Sequence, residues 1–387
     1  MILLQELNCG LPLKGKEQRM PQVKPERPAY ADFDTPAKFQ AIETVIARHL
    51  LEHPNAVCSY SGGSDSDIML DLIERVRKMY NLPPIHYIFI NTGLEMEAIK
   101  RHVKETAEKY GIEIETIRPK RNIVLAVRDN GLPFLSKIVS ERLGGALRKK
   151  IPISIADEYD AADDPIAKYE ELKQRYPHCV QEISFLCSCG YKGERYNNGN
   201  QFMICSAKYL KEFVQECPPT FPISAKCCDI CKKAPLHKAQ AGYDMVITGE
   251  RAAEGGIRKD TQFSNGTGCF AEQKNGVFRM RPLFYVTDKD KAWYKEHYNI
   301  RYSDAYEVYG LTRTGCCGCP INYKAVDDLE RIRPYEPNLV KAAWNVFGGS
   351  YRYRQQYNEY KKKRYAEEKE RKKTEKEAAK QKEEHTT

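Results

Sequence analysis

No stretch of this sequence approaches the run of about 18 apolar residues that crosses a membrane as a helix, and the mean hydropathy is −0.64. The apolar patch between Met1 and Lys14 is too short and too interrupted for a secretory signal. These absences exclude an integral helical membrane protein and predict a cytoplasmic chain. No internal repeat is present, which excludes a solenoid. The G-x-x-x-x-G-K-[ST] loop of P-loop nucleotidases is missing, as is the G-x-G-x-x-G turn of dinucleotide folds. No cysteine follows Cys319. The 14 cysteines are many, but in a lysine-rich chain without a secretory signal they indicate metal or thiol chemistry rather than disulfides.

What is present is enough for a packed protein. At ~150 residues per domain, 387 residues make two to three domains or one enlarged α/β domain, and a 41% hydrophobic share supplies a core. The formal charge of +9 is uneven: Lys361 to Thr387 holds 11 Lys and Arg against seven Glu, a net +4. That run reads as a solvated charged helix or a frayed end, and only weakly as a nucleic-acid contact.

An apolar face of Ala37, Phe39, Ile42, Val45, Ile46 and Leu50 predicts a helix over Thr35–Glu52. A short buried strand at Asn55–Tyr60 feeds Ser61-Gly62-Gly63-Ser64-Asp65-Ser66 and a second helix. Ile85–Ile90, a helix through Tyr110, a strand at Ile112–Ile117, a helix near Lys232–Ala241, a strand at Tyr243–Thr248 and a helix at Asp288–Tyr298 continue the alternation. This rhythm predicts an α/β fold with a doubly wound parallel sheet. The divisions expected are an arm over 1–34, a nucleotide-binding half over 35–131, a Cys-containing insertion over 132–226, a second half over 227–350, and a charged helical or disordered tail over 351–387.

The loop Ser61–Ser66 carries the strongest signal. Its glycines let backbone N–H groups approach a polyanion, its hydroxyls add donors, and the next helix turns its positive dipole end to the same place. Ser-Gly-Gly-x-Asp-Ser after the first strand resembles the pyrophosphate loop of the PP-loop ATP pyrophosphatase superfamily, and further motifs resemble its phosphoadenosine phosphosulfate (PAPS) reductase family. Asn91-Thr92-Gly93-x-Glu95 is similar to that family's Asp-Thr-Gly-x-Glu, with Asn91 in place of the aspartate. Gly131-Leu-Pro133 with Ser136-Lys137 resembles its nucleotide-side loop. Thr248-Gly249-x-Arg251-x-x-Glu254-x-x-x-Arg258 resembles its arginine segment, and Arg281-Pro-Leu283 with Thr287-Asp288 its Pro-Leu…Trp-Thr segment. The resemblance implies a Rossmann-like, adenine nucleotide alpha hydrolase-like fold. It also implies an adenine nucleotide held by Ser61, Gly62, Gly63, Ser64, Asp65, Ser66, Asn91, Thr92, Gly93, Lys137, Gly249, Arg251 and Arg258. Asp65, Glu95, Arg251 and Arg258 are the expected catalytic groups. Phosphates favour planar bidentate cations, which suits both arginines. Asp65 is divided between Mg²⁺ and helix capping.

Two cysteine groups, Cys227-Cys228-x-x-Cys231 and Cys316-Cys317-x-Cys319, each contain a C-x-x-C pair. Two such pairs can meet at one tetrahedral zinc or one 4Fe–4S cluster, which spacing alone does not separate. Cys-Cys-x-x-x-Lys-x-x-Pro-Leu with a distant Cys-x-x-Cys resembles the cluster-bearing adenosine phosphosulfate (APS) reductases. That resemblance implies a 4Fe–4S ligand set of Cys227, Cys228, Cys316 and Cys319, with Cys231 a further candidate and zinc the alternative. Cys187, Cys189 and Cys205, with Cys179, Cys217 or His178, are a second and weaker metal group. Cys58 reads as packing.

Sulfonucleotide reductases of this family carry a nucleophilic cysteine near the C-terminus, and only a thiol performs that attack. With none after Cys319, the chain resembles the DndC-type proteins of DNA phosphorothioation more than a reductase. The expected activity is α–β cleavage of ATP with Mg²⁺, coupled to sulfur transfer, with a nucleic acid or a sulfur-carrier protein as partner in a homo-oligomer or complex. APS or PAPS reduction through a thiol elsewhere, and a non-catalytic nucleotide-binding regulator, are the alternatives.

Overall fold

The structure, a computed structural model, describes residues 28–194, 209–254, 269–272 and 276–384. Six strands form one sheet: β1 (Ala56–Ser59), β2 (His86–Ile90), β3 (Ile114–Ile117), β4 (Met245–Thr248), β5 (Phe270–Glu272) and β6 (Phe278–Met280). Their order is β3-β2-β1-β4-β6-β5, with every pairing parallel except β5 against β6. The order reverses beside β1, so the crevice where α/β sheets bind ligands opens at that strand's C-terminal end.

The helices of the first half are α1 (Thr35–Glu52), α2 (Ser64–Tyr80), α3 (Glu97–Tyr110) and α4 (Ile123–Asn130). α1 starts where Asp34 accepts the Ala37 amide at 3.0 Å, with proline in its first turn. α2 combines the expected apolar face with a face of buried acids one turn apart, Asp67, Asp71 and Glu74. Tyrosine hydroxyls satisfy each of them: Tyr60 donates to Asp67 at 2.6 Å, Tyr110 and Tyr294 to Asp71 at 2.6 Å each, and Tyr87 to Glu74 at 2.5 Å. Buried carboxylates are tolerated because every one is hydrogen-bonded.

Beyond these come α5 (Lys137–Arg148), α6 (Ile155–Asp160), α7 (Pro165–Arg175), α8 (Val180–Leu186) and α9 (Leu210–Glu216). They pack on one another around a separate apolar cluster that includes Phe134, Leu143, Tyr169, Ile183, Phe185 and Phe213. The chain then passes through α10 (Lys226–Cys228), one π-helical turn (Asp229–Lys233) and α11 (Ala234–Ala239). α12 (Asp288–His297), α13 (Asp304–Glu307), α14 (Ala325–Ile332) and α15 (Pro337–Glu384) complete the chain. Among the described residues no helix is long and apolar enough to cross a membrane.

A boundary at residue 351 does not hold. α15 begins at Pro337 and runs unbroken through that position. Val340, Ala343, Phe347 and Tyr351 pack into the main core, and Tyr353 and Tyr357 into the cluster of the helical insertion. The charged helix expected over 351–387 is the continuation of a helix whose first part is an internal strut.

Candidate functional site

Where β1 ends, the chain turns through Gly62 at φ +66°, and a Cβ there would meet the Ile99 side chain at 2.9 Å. Only glycine allows the loop to lie this close to α3. Ser66 Oγ accepts the Gly63 amide at 3.0 Å, donates to the Gly63 carbonyl at 2.7 Å and lies 3.0 Å from Ser61 Oγ. The serines therefore hold the loop's shape. Gly249, at the end of β4, sits against the loop as well: a Cβ would come within 3.2 Å of the Asp65 carbonyl oxygen.

Asp65 is the counter-ion of two cations. Its Oδ1 lies 3.0 Å from Arg251 Nε and 2.6 Å from Lys291 Nζ, and Lys291 also donates to Ser64 Oγ at 2.5 Å. Arg251 is buried and gives its remaining donors to the Val286 carbonyl at 3.1 Å and Asp288 at 2.9 Å. Both contacts fall on one oxygen of Asp65, and the Arg251 guanidinium bridges the loop to the segment that leads into α12. Lys291, which the sequence reading passed over, is the cation nearest the loop hydroxyls. Its signal was its place one turn after Thr287-Asp288. Arg258 lies outside the described residues.

A crevice of 210 Å³ opens from this loop. Ser59, Tyr60 and Ser61 form one wall, Ile88, Phe89 and Ile90 another, and Glu95, Lys232, Thr314 and Gly315 the far side. A larger cavity of 480 Å³, with His237, Gln240, Asp244 and Arg279 in its walls, lies at the opposite, N-terminal ends of β4 and β6 and holds no predicted residue.

The Asn91–Glu95 turn lies between loop and cysteines. Asn91 accepts the Gly93 amide at 3.0 Å and so shapes its own turn. Buried Thr92 donates to Glu95 at 2.8 Å and stands 3.5 Å from Cys316 Sγ. Glu95, also buried, lies 3.7 Å from Lys232 Nζ and 4.0 Å from Cys316 Sγ.

The two distant cysteine groups converge. The Cys227 thiol is pushed up by its hydrogen bond with Cys228, by burial, and by the fields of Cys228, Cys319 and Cys316. Cys228 is lowered to about 6, first by that hydrogen bond and then, against the cost of burial, by Lys137 and Lys232. The charge of Lys137 bears on Cys228 and Cys319, and Lys137 is not among the residues lining the crevice. Cys231 is buried, and its thiol donates to the Arg121 carbonyl at 3.4 Å. Cys317 packs in the core, with its amide on the Leu94 carbonyl at 2.8 Å. Among the described residues no three of these thiols come within 4.8 Å of one another. A zinc tetrathiolate with ~2.3 Å bonds would bring its sulfurs to about 3.8 Å apart.

In the insertion Cys179, Cys187 and Cys189 are buried in the apolar cluster, and among the described residues they form no metal-sized group with a third ligand. Cys205 lies outside the described residues. Cys58 is fully buried in β1, and burial raises its thiol.

Residues 55–137 and 194–322, more than half of the chain, match the model of the phosphoadenosine phosphosulfate reductase domain. An adenosine 5'-phosphosulfate reductase of Neisseria meningitidis serogroup B is 30% identical over 108 residues, 28% of this chain and 42% of that protein. A tRNA(Ile)-lysidine synthase of Pseudomonas syringae pv. tomato is 30% identical over 87 residues, 22% of this chain and 20% of that protein. The chain thus spans less than half the length of these curated relatives. Among solved structures, a Candida auris phosphoadenylyl-sulfate reductase in a phosphate complex aligns over 71% of this chain and 87% of its own at 14% identity, with a TM-score of 0.36.

Proposed function

Because the chain belongs to the phosphoadenosine phosphosulfate reductase family of the PP-loop superfamily, we propose that it binds ATP with its phosphates on Ser61–Ser66 and splits it between the α and β phosphorus atoms. One observation carries this reading: a single crevice has the loop serine Ser61 on one side and Lys232 and Gly315, neighbours of the two cysteine groups, on the other. A nucleotide lying in it would present its reacting end to the thiols.

Cys227, Cys228, Cys316 and Cys319 suit a 4Fe–4S cluster. Thiols from two remote segments lie within one another's electrostatic reach, and the charges of Lys137 and Lys232 offset the negative charge of a tetrathiolate. A cluster held there would supply an electron-rich, polarising group beside the nucleotide.

The protein's own groups do the rest. The loop amides and the α2 dipole hold the β and γ phosphates, and Lys291 neutralises charge as pyrophosphate leaves. An acceptor oxygen attacks the α-phosphorus, the α–β P–O bond breaks, and pyrophosphate departs. A persulfide-type donor then displaces AMP, which carries the acceptor's oxygen away, and a second thiol of that donor cleaves the resulting S–S bond, releasing the thiolated acceptor and leaving the donor as a disulfide. Glu95 fixes Lys232 at the boundary between the two compartments.

A second reading, reduction of a sulfonucleotide to sulfite, is favoured by the APS reductase relatives. It needs a nucleophilic thiol near the crevice, and α15, which follows the cysteine loop and α14, contains none. Incubating anaerobically purified protein with ATP, APS and PAPS separates the two. Pyrophosphate and AMP from ATP support the first, and thiol-dependent sulfite release replaces it with the second. Cys228→Ser and Cys319→Ser should lose iron and the brown absorbance while Cys231→Ser keeps both; equal loss in all three would return Cys231 to the ligand set.

A further inference from the structure

The C-terminal end of α1 carries a second, independent group of metal-binding side chains. His49, Glu52 and His53 each place one donor atom within 4.8 Å of the others, the only such trio among the described residues. Helical spacing explains it. Residues three and four apart share a face, so His49 presents the same side as Glu52 and His53. His53 caps the helix with φ −130° and ψ 72°, just past the last helical residue, which frees its ring from the helix surface.

The trio has the features of a ligand set. His49 Nδ1 lies 3.2 Å from Glu52 Oε2, and two ligands held 2.0–2.1 Å from a tetrahedral zinc are themselves about 3.4 Å apart. His49 is only 3% exposed, and this nitrogen has no aligned hydrogen-bond partner. A buried imidazole nitrogen aimed at a carboxylate without a formed hydrogen bond is the atom a cation would satisfy.

The surroundings agree. Arg48 Nε sits 3.4 Å from Glu52 Oε1, orienting the carboxylate and leaving Oε2 toward His49. The rings of Phe270 and Phe278 lie 4.9 and 4.8 Å from His49, and Phe278 stacks on His53 at 4.8 Å. These rings limit ring rotation and exclude water on one side, while half-exposed Glu52 leaves an open path on the other. The helix C-terminus adds its partial negative charge.

We propose that His49, Glu52 and His53 bind one divalent transition ion of the zinc class, with a fourth position open to water or an exogenous ligand, at the sheet edge formed by β5 and β6. It is separate from the cysteine centre and shares no residue with it.

Cobalt(II) distinguishes the two centres, because thiolate ligation gives intense near-ultraviolet charge transfer and nitrogen–oxygen ligation gives only weak visible bands. The full chain is stripped with chelator and titrated with cobalt, then with zinc, as wild type, as Cys228→Ser and as His53→Gln. One equivalent with visible bands and no thiolate absorption should persist in Cys228→Ser. Zinc should displace it, and His53→Gln should weaken it by at least about tenfold. Glu52→Gln, at a half-exposed position, should weaken it similarly without lowering metal-free thermal stability. Cobalt binding in Cys228→Ser that is unchanged by both His53→Gln and Glu52→Gln, or no binding beyond the thiolate centre, would overturn the site.

Discussion

At the scale of single residues, the site is governed by which charges already have partners. Asp65 and Arg251 both look, in isolation, like groups awaiting a ligand. Side by side they neutralise each other, and Lys291 completes a triad in which it is the member closest to the loop hydroxyls. A lysine is a compact point charge that can swing from carboxylate to phosphate at little cost, whereas a buried guanidinium with three partners cannot. Lys291→Ala should therefore weaken ATP binding about tenfold, the order of 1.5 kcal/mol for one charge-assisted contact. Calorimetric titration checks this, and an unchanged Kd would remove Lys291 from the nucleotide site. The same logic separates Cys228 from Cys231. Cys228 is lowered by its bond with Cys227 and by Lys137 and Lys232, whereas burial dominates at Cys231, whose thiol donates to the Arg121 carbonyl.

At the scale of elements, the site rests on helices whose ends are pinned by buried polar groups. α12, which carries Lys291, begins in a capping box in which Asp290 accepts from the Thr287 amide at 2.9 Å and its hydroxyl at 2.8 Å. Asp290 also takes Lys38 at 2.7 Å and Thr35 at 2.5 Å from α1, so one carboxylate joins two helices. Burial alone would raise this carboxyl, but the donors from Lys38, Thr35 and Thr287 outweigh it and hold it at about 2, against an ordinary 3.8. A depressed carboxylate pKa means that its stabilisation is complete above about 4 and fades as pH falls toward 2. Asp290→Asn should thus cost on the order of 2 kcal/mol at pH 7, with the deficit shrinking below pH 4. Denaturant melts across that range measure it, and a deficit independent of pH would mean the loss is one of shape rather than charge.

At the scale of the whole molecule, α15 links the parts. Tyr351 donates to the Gly318 carbonyl inside the cysteine loop, and Arg354 to the Pro320 and Asn322 carbonyls at 2.7 and 3.0 Å. Ser350 donates to the Pro133 carbonyl at 2.5 Å, and Tyr353 to the Cys217 carbonyl at 2.8 Å, at either end of the insertion. Tyr353 also packs against Phe134 and Phe213, with ring centroids 4.8 and 5.0 Å away. Replacing Tyr353 with alanine should cost about 3 kcal/mol and uncouple unfolding of the helical insertion from that of the sheet, seen as a second calorimetric transition. Ending the chain after Glu370 should leave the melting temperature nearly unchanged, because the helix beyond that point buries no described side chain. A large drop there would reveal a contact along the charged segment.

Periodicity and punctuation determined most of the fold on their own. The helix over Thr35–Glu52 and the strands that become β1, β2, β3 and β4 are local patterns of apolar residues closed by caps and turns, and such patterns survive in one dimension. The phosphate-loop residue types were legible for the same reason, and so were the two cysteine groups as chemically special segments, since both depend on spacing. Tertiary structure alone decided what depends on distance between remote residues. Asp65 pairs with Arg251 and Lys291, Lys137 bears on the thiols, Cys231 meets the Arg121 carbonyl, and the helix that ends in the charged tail begins as an internal strut. The physical reason is common to all four. A side chain's role is set by the charges and cavities it meets, and those come from parts of the chain that sequence order keeps far apart.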